Sequence, residues 1–223
     1  LTGIILSDTL QLKKIQSPYM NQKIYEYNNF FEFFNITKNI QNYKYSVSWV
    51  DHFGDKKITG LWFLANHSKK IKSNDIEFNN EKKLGLISYL ALKLVTNNYY
   101  FSRLANFFYR KYKKYFYKEI ILYDDCFYPQ DHFVDWNKAY GKNGLFQFQF
   151  LVPEKKLENI IDALSVFFKK EKLFSSFIVI KKMNEKGGYL NFTGTGYTIS
   201  LDFPINNKFF ILKSFLNKLV ELH

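Results

Sequence analysis

"LFQFQFLVP" occupies residues 145–153. Side chains of a strand alternate between its faces, so Phe146, Phe148 and Phe150 share one side and Gln147 and Gln149 the other. The stretch therefore reads as a half-buried strand, with one apolar face for a core and one face carrying two carboxamides in line. Those amides suit either a water-facing surface or the wall of a cleft for a polar ligand, and the strand by itself leaves both open. Pro153 sits at the first turn of an amphipathic helix that runs through Lys170, with Leu157, Ile160, Ile161, Leu164 and Phe168 on one stripe.

Outward from this strand, residues 3–15 and 19–27 read as strands separated by the Ser17-Pro18 break. Asn29, with Glu32 three residues later, caps a short helix over "NNFFEFF". "YKYSVSWV" (43–50) and "ITGLWFLAN" (58–66) form a hairpin whose turn falls at Gly54-Asp55, and the polar residues 67–83 form a loop. Residues 84–118 are helical, and a helix from Pro129 to Tyr140 stops at Gly141. "FIVIKKM" and "YTISLDFPI" are further strands, and 208–222 is a last helix. Strands come in adjacent groups without regular strand–helix alternation. This predicts an α+β fold, a mostly antiparallel sheet with helices packed on one face, rather than a doubly wound parallel sheet.

Of the 223 residues, 47% are hydrophobic, including 25 Phe and 17 Tyr, which is ample for a core and excludes global disorder. Lys and Arg number 32 against 20 Asp and Glu, and the net charge of +12 favours anionic partners: nucleic acid, anionic membrane or phosphorylated substrates. The single cysteine, Cys126, excludes an internal disulfide and reads as a packing residue; four scattered histidines give no zinc spacing. No apolar run approaches the roughly 20 residues of a membrane span. The chain opens on "LTGIIL" without Met, as a fragment of a longer protein would.

Phosphate-cradling and nucleophile-elbow motifs are absent, and "GTG" at 194–196 precedes a strand where a dinucleotide fingerprint would follow one. In the basic aromatic stretch 109–118, Arg110, Lys111, Lys113 and Lys114 stand beside Tyr109, Tyr112, Tyr115 and Phe116. That mixture fits a helix lying on an anionic membrane, a nucleic-acid surface, or a solvated face with its aromatics in the core. Membrane contact is the favoured functional reading, and nucleic acid is not expected as a partner.

Four segments, "LTGIILSDTL" (1–10), "YKYSVSWVD" (43–51), "YPQDHFVDWNKAYGKNGLFQFQFLVP" (128–153) and "GYTISLDFPI" (196–205), resemble the substrate-binding part of the FAD-linked oxidase superfamily with the vanillyl-alcohol-oxidase type fold. Within it the resemblance is to the oxidase subunits of decaprenylphosphoryl-ribose 2′-epimerases. It implies a flavoprotein in which FAD oxidises the 2′-hydroxyl of a polyprenyl-phosphoryl ribose. An NAD-dependent short-chain reductase then returns hydride to give the arabinose epimer, in the cytoplasm and peripheral on the inner membrane. It further implies that residues 1–223 are the substrate-binding domain, with 67–118 as a loop and basic aromatic helical insertion. Most of the flavin-binding domain would lie upstream and the family's catalytic lysine downstream, so these 223 residues alone are expected to be inert.

Residue by residue, the resemblance implies that Trp49, Phe133, Lys138, Gln147, Gln149 and Lys181 line the sugar pocket, with Thr2, Gly3 and Ile4 where the chain leaves the FAD domain. An amide suits sugar hydroxyls because it both donates and accepts, and a cation suits a sugar phosphate. Without the resemblance, Trp49 reads as core and Lys181 as an exposed strand-end lysine, a part for which Lys182 is the better candidate. Thr198 and Ser200 are pocket positions where the family has asparagine and, in mycobacterial relatives, cysteine; Val47 replaces a serine. These departures bear on which glycosyl donor fits. The rivals are an FAD-dependent oxidase of a soluble sugar, aldonolactone or alditol, and a non-catalytic basic module binding membrane or nucleic acid.

Overall fold

β2 (Tyr45–Gly54) and β3 (Lys57–His67) pair antiparallel from Tyr45–Ala65 to Gly54–Lys57, as their alternating pattern predicts, with a bulge between Val50 and His52. The structure is a computed structural model that describes residues 6–12, 14–54, 57–69, 82–83, 86–130, 133–184 and 194–221. Around this hairpin, β1 (Tyr19–Tyr27), β5 (Ile120–Leu122), β7 (Leu145–Val152), β8 (Phe177–Met183) and β9 (Gly196–Pro204) complete a seven-stranded sheet. Its order is β5-β1-β3-β2-β8-β9-β7 and every pairing is antiparallel. The α+β class and antiparallel sheet are those read from the sequence.

One face of the sheet carries the core. Tyr27, Trp62, Val50, Ile180, Leu201 and Phe150 point into it from six strands, and α1 (Phe30–Lys38), α5 (Leu157–Glu171) and α6 (Phe209–Glu221) close it. The capping residues do what their chemistry allows. Asn29 Oδ1 accepts from Glu32 N at 2.8 Å, and Glu32 reaches back to Asn28 N at 2.8 Å. Between α5 and α6, Phe167 stacks flat on Phe215 with ring centroids 3.7 Å apart. The expected helical layer on one face is these three helices.

The other face is partly covered as well. Within the region expected to be helical lie two helices, α2 (Leu86–Asn97) and α3 (Tyr99–Tyr115), broken at Asn98, whose side chain caps α3 by accepting from Tyr100 N and Phe101 N. Tyr109 of α3 meets Trp49 edge to face at 4.8 Å. Trp49 and the core residue Val50 are neighbours in one strand, so α3 lies opposite the core.

Two sequence expectations are corrected. The described residues of 129–140 do not form the expected helix: β6 (Phe133–Val134) pairs in parallel with β4 (Lys82–Lys83), and a 3₁₀ turn spans Trp136–Tyr140. Asp135 at φ 61° interrupts any helix there, and Gly141 at φ 100° ends the turn, as its type predicts. Residues 6–12, 14 and 15 are not a strand either. The 67–83 loop falls largely outside the described residues, as do Thr2, Gly3 and Ile4. Edge strand β5 and the short helix α4 (Tyr123–Phe127) carried no pattern long enough to read.

Candidate functional site

β7 keeps the alternation its sequence predicts. Phe150 is buried, Phe146 and Phe148 pack against the core, and Gln147 and Gln149 stand exposed on the opposite face. β9 does the same, placing Tyr197, Ile199, Leu201 and Phe203 in the core and Thr198, Ser200 and Asp202 on the glutamine side.

Residues directly opposite each other in an antiparallel pair point to the same face. The register therefore draws rows across the sheet. Gln149 faces Ser200, Ser200 faces Val179, and Val179 faces Trp49. In the next row Leu151, Thr198 and Lys181 are neighbours, and on the other flank Gln147, Asp202 and Phe177. Six of the sequence-predicted positions, Trp49, Gln147, Gln149, Lys181, Thr198 and Ser200, thus share one face although they come from four strands up to 151 residues apart (200 − 49).

Their environments differ. Thr198 is buried, Trp49 is 7% exposed beneath Tyr109, and Ser200 is half-buried. Lys181 is exposed, with no hydrogen-bond or ion-pair partner among the described residues, whereas Lys182 is held by Glu154 at 3.4 Å and lies over the Tyr197 ring. The two neighbouring lysines are thereby separated: Lys182 is structural and Lys181 is free to meet an anion.

Lys138 and Phe133 are not drawn into these rows. Lys138 Nζ is committed to Asp135 at 2.7 Å and is 66% exposed. The backbone of Phe133 lies in β6, not on the expected helix. Among the expected membrane-contact residues, Arg110 and Lys113 turn inward, and Lys114, though 70% exposed, is tethered to the sheet. Arg110 bridges Glu26 at 3.4 Å and Asp51 at 3.6 Å, Lys114 binds Glu26 at 3.2 Å, and Lys113 lies over the rings of Phe63 and Tyr109. Burial lowers the Lys113 pKa. Lys111 is exposed and makes no contact with the sheet among the described residues; its ammonium rests over Phe107.

The sequence did not single out Asp202, the most buried charged group of the face at 1% exposure. Its Oδ1 accepts from Gln147 Nε2 at 2.8 Å, while its buried Oδ2 has no hydrogen-bond partner among the described residues. Burial raises its pKa, and the hydrogen bond from Gln147 partly offsets this. A lone acid inside the mostly apolar "ISLDFP" was the available signal. Beside it, Tyr140 is buried, receives a hydrogen bond from Ser176 Oγ at 3.0 Å, and has its phenol pushed up to about 12 by burial. Ser175 Oγ accepts from Asp202 N at 3.0 Å and fixes the strand at this point. Cys126 is half-buried, its thiol pushed up to about 11 by burial.

A pH dependence follows from Asp202. A carboxyl whose folded pKa is raised binds protons more tightly folded than unfolded, so it costs stability as pH rises from the ordinary carboxylate range through the folded pKa. Asp202→Asn is expected to remove that slope, matching or exceeding the wild type at neutral pH and losing the advantage at acid pH. Denaturant unfolding at a series of pH values checks this.

A cleft of about 520 Å³ lined by Lys23, Glu26, Leu61, Lys113, Tyr117 and Glu119 lies toward the β5–β1 edge, at the other end of the sheet from β7. Its lysines are opposed by Glu26 and Glu119, so it is not the polar site described above.

No family model matches the chain. The sequence is 27% identical over 217 residues to a decaprenylphosphoryl-β-D-ribose oxidase of Mycolicibacterium smegmatis, an alignment covering 92% of this chain and 46% of the relative. The chain spans about half the length of the curated relative it matches and is its distant homologue.

Proposed function

We propose that this chain forms the sugar-binding portion of an FAD-dependent oxidoreductase that oxidises the 2′-hydroxyl of a polyprenyl-phosphoryl ribose. On this proposal an NAD-dependent short-chain reductase completes the epimerisation to arabinose. The observation that carries it is the register, which lines up Gln147, Gln149, Ser200, Thr198 and Lys181 on one coreless face beside Trp49. The distant likeness to a decaprenylphosphoryl-β-D-ribose oxidase supports the choice of substrate class.

The chain's own chemistry is binding and orientation. Each glutamine can donate to one hydroxyl and accept from another, which suits the vicinal hydroxyls of a pentose. Asp202 accepts from Gln147 Nε2 and so fixes which end of that amide is held and which faces outward. Asp202 is in this sense a positioning residue. Lys181, exposed and without a partner among the described residues, supplies the cation for a sugar phosphate, and Trp49, covered by Tyr109, packs the border of the face against α3. None of these side chains accepts a hydride; FAD, when bound, supplies that capacity. The face fits the sugar side of such a site, and the flavin-neighbouring Thr2, Gly3 and Ile4 lie outside the described residues.

The test is anaerobic reduction of the full-length protein carrying these residues. A yellow protein bleached by polyprenyl-phosphoryl ribose is expected. A colourless protein contradicts the proposal, and bleaching by free alditols or aldonolactones with no dependence on the prenyl tail moves the function to soluble sugars.

A further inference from the structure

Helix α3 is amphipathic with its polarity reversed for a helix resting on a protein in water. Arg103, Asn106, Tyr109, Arg110 and Lys113, at spacings of three and four, form the stripe that meets the sheet. Arg103 and Asn106 bind Asp51, Tyr109 meets Trp49, Arg110 binds Asp51 and Glu26, and Lys113 covers Phe63. The opposite stripe is Phe101, Leu104, Phe108, Tyr112 and Tyr115, which are 47%, 53%, 60%, 57% and 88% exposed. α2, which packs against α3, also exposes Ile87, Leu90 and Leu94. Contiguous apolar surface of this kind marks an interaction site.

Charge identifies the occupant. No Asp or Glu occurs between Glu81 and Glu119. The exposed charges carried by α2 and α3, Lys93, Lys111 and Lys114, are all cationic, and Lys118 follows shortly after α3. Phe, Tyr and Leu on one side with a rim of lysines only is the make-up of a helix seated at an anionic bilayer surface. Nucleic acid fits less well, because Arg110, Lys113 and Lys114 are engaged on the sheet while the outward surface is apolar.

Position adds to this. Tyr89 and Thr96 of α2 hydrogen-bond the carbonyls of Lys138 and Ala139 at 3.2 and 2.9 Å, and the same turn carries Tyr140 beside Asp202. The helical pair therefore sits on the glutamine side of the sheet.

We propose that α2 and α3 form an interfacial membrane contact that seats the protein on anionic lipid, with the polar sheet face beside the bilayer. The contact rests on the helices alone; if the proposed reaction also holds, it brings a lipid-linked sugar to the residues that bind it.

Flotation with phosphatidylcholine vesicles containing one-third phosphatidylglycerol tests the contact without flavin or sugar. The protein is expected to float with these vesicles and to release as salt screens its lysines. Leu104→Ser/Phe108→Ser/Tyr112→Ser should lower the bound fraction at least about tenfold with an unchanged circular dichroism spectrum. Lys111→Glu/Lys118→Glu, which leaves the apolar stripe intact, should weaken binding to anionic vesicles but not to neutral ones. Wild-type protein that stays unbound at low salt overturns the proposal, as does a serine variant that floats equally well. So does a wild-type dimer that the serine variant converts to monomer without loss of flotation, or lysine-dependent binding to duplex DNA with none to vesicles.

Discussion

Gly60→Ala is expected to destabilise the fold by about 4 kcal/mol, a large part of the stability of a domain this size. Gly60 lies in β3 opposite Val50 and Tyr27, where the sheet is flanked by β1 and β2. A methyl group there would overlap the Trp49 carbonyl oxygen and the Tyr27 hydroxyl. Neither can yield cheaply. The carbonyl is part of a central strand. The Tyr27 hydroxyl is fully buried, hydrogen-bonded to Ser48 Oγ at 2.7 Å and donating to the Trp49 carbonyl at 3.3 Å. Burial holds its pKa well above the usual phenol range, so it stays a neutral donor at any ordinary pH. Expelling it would leave buried polar groups unpaired, in addition to the steric cost. Thermal unfolding followed by circular dichroism should show a loss of about 10 °C in Tm. A variant that melts with the wild type would show that this crossing is looser than described.

Asp51→Ala is expected to cost about 3 kcal/mol, because it removes the buried partner of two cations. The Asp51 side chain is 5% exposed, with Arg103 at 3.3 Å, Arg110 at 3.6 Å and Thr59 Oγ1 donating at 3.4 Å. Without it, Arg110 keeps only Glu26 among the described residues, and its side chain, 19% exposed, is left largely desolvated beside the sheet. α3 should then loosen, uncovering Trp49 where Tyr109 shields it. The readouts are denaturant unfolding and a red shift of tryptophan emission. Asp51→Asn, which keeps an acceptor for Arg103, should lose less. Because the group is buried, added salt should not reproduce the effect.

The elements whose signal is local were legible in the sequence. The alternation in "LFQFQF", the stripe through Leu157 and Phe168, and the Asn29 cap each depend on near neighbours, and each stands where its pattern put it. Residues 129–140 misled because Trp136, Lys138 and Tyr140 are compatible with a helix, while Asp135 adopts a left-handed conformation that composition does not announce. Asn98 divided one expected helical region into two by capping the second with its own side chain.

The candidate site was legible on β7, whose two amides share a face by period alone. That Ser200 opposes Gln149, and Val179 opposes Trp49, depends on long-range pairing that no single segment encodes. Asp202 was passed over for the same reason: its meaning comes from Gln147 across the ladder, 55 residues away. The basic stretch 109–118 was read with its cations outward because lysines usually seek water. The acids that draw them inward, Glu26 and Asp51, lie on β1 and β2.

The most direct measurement is an anaerobic titration of the full-length flavoprotein with polyprenyl-phosphoryl ribose, comparing wild type with Gln147→Leu/Gln149→Leu. On the proposed function each leucine removes the hydrogen bonds of one amide to the sugar while preserving side-chain bulk, and two such losses would amount to about a 100-fold weaker binding. Bleaching of the double variant should require about 100-fold more ligand than the wild type, with some loss of Tm because Gln147→Leu also strips Asp202 of its hydrogen bond; Gln149→Leu alone, which leaves Asp202 paired, should need about 10-fold more ligand at an unchanged Tm. Equal ligand requirement for the two proteins would contradict the assignment of this face to the sugar.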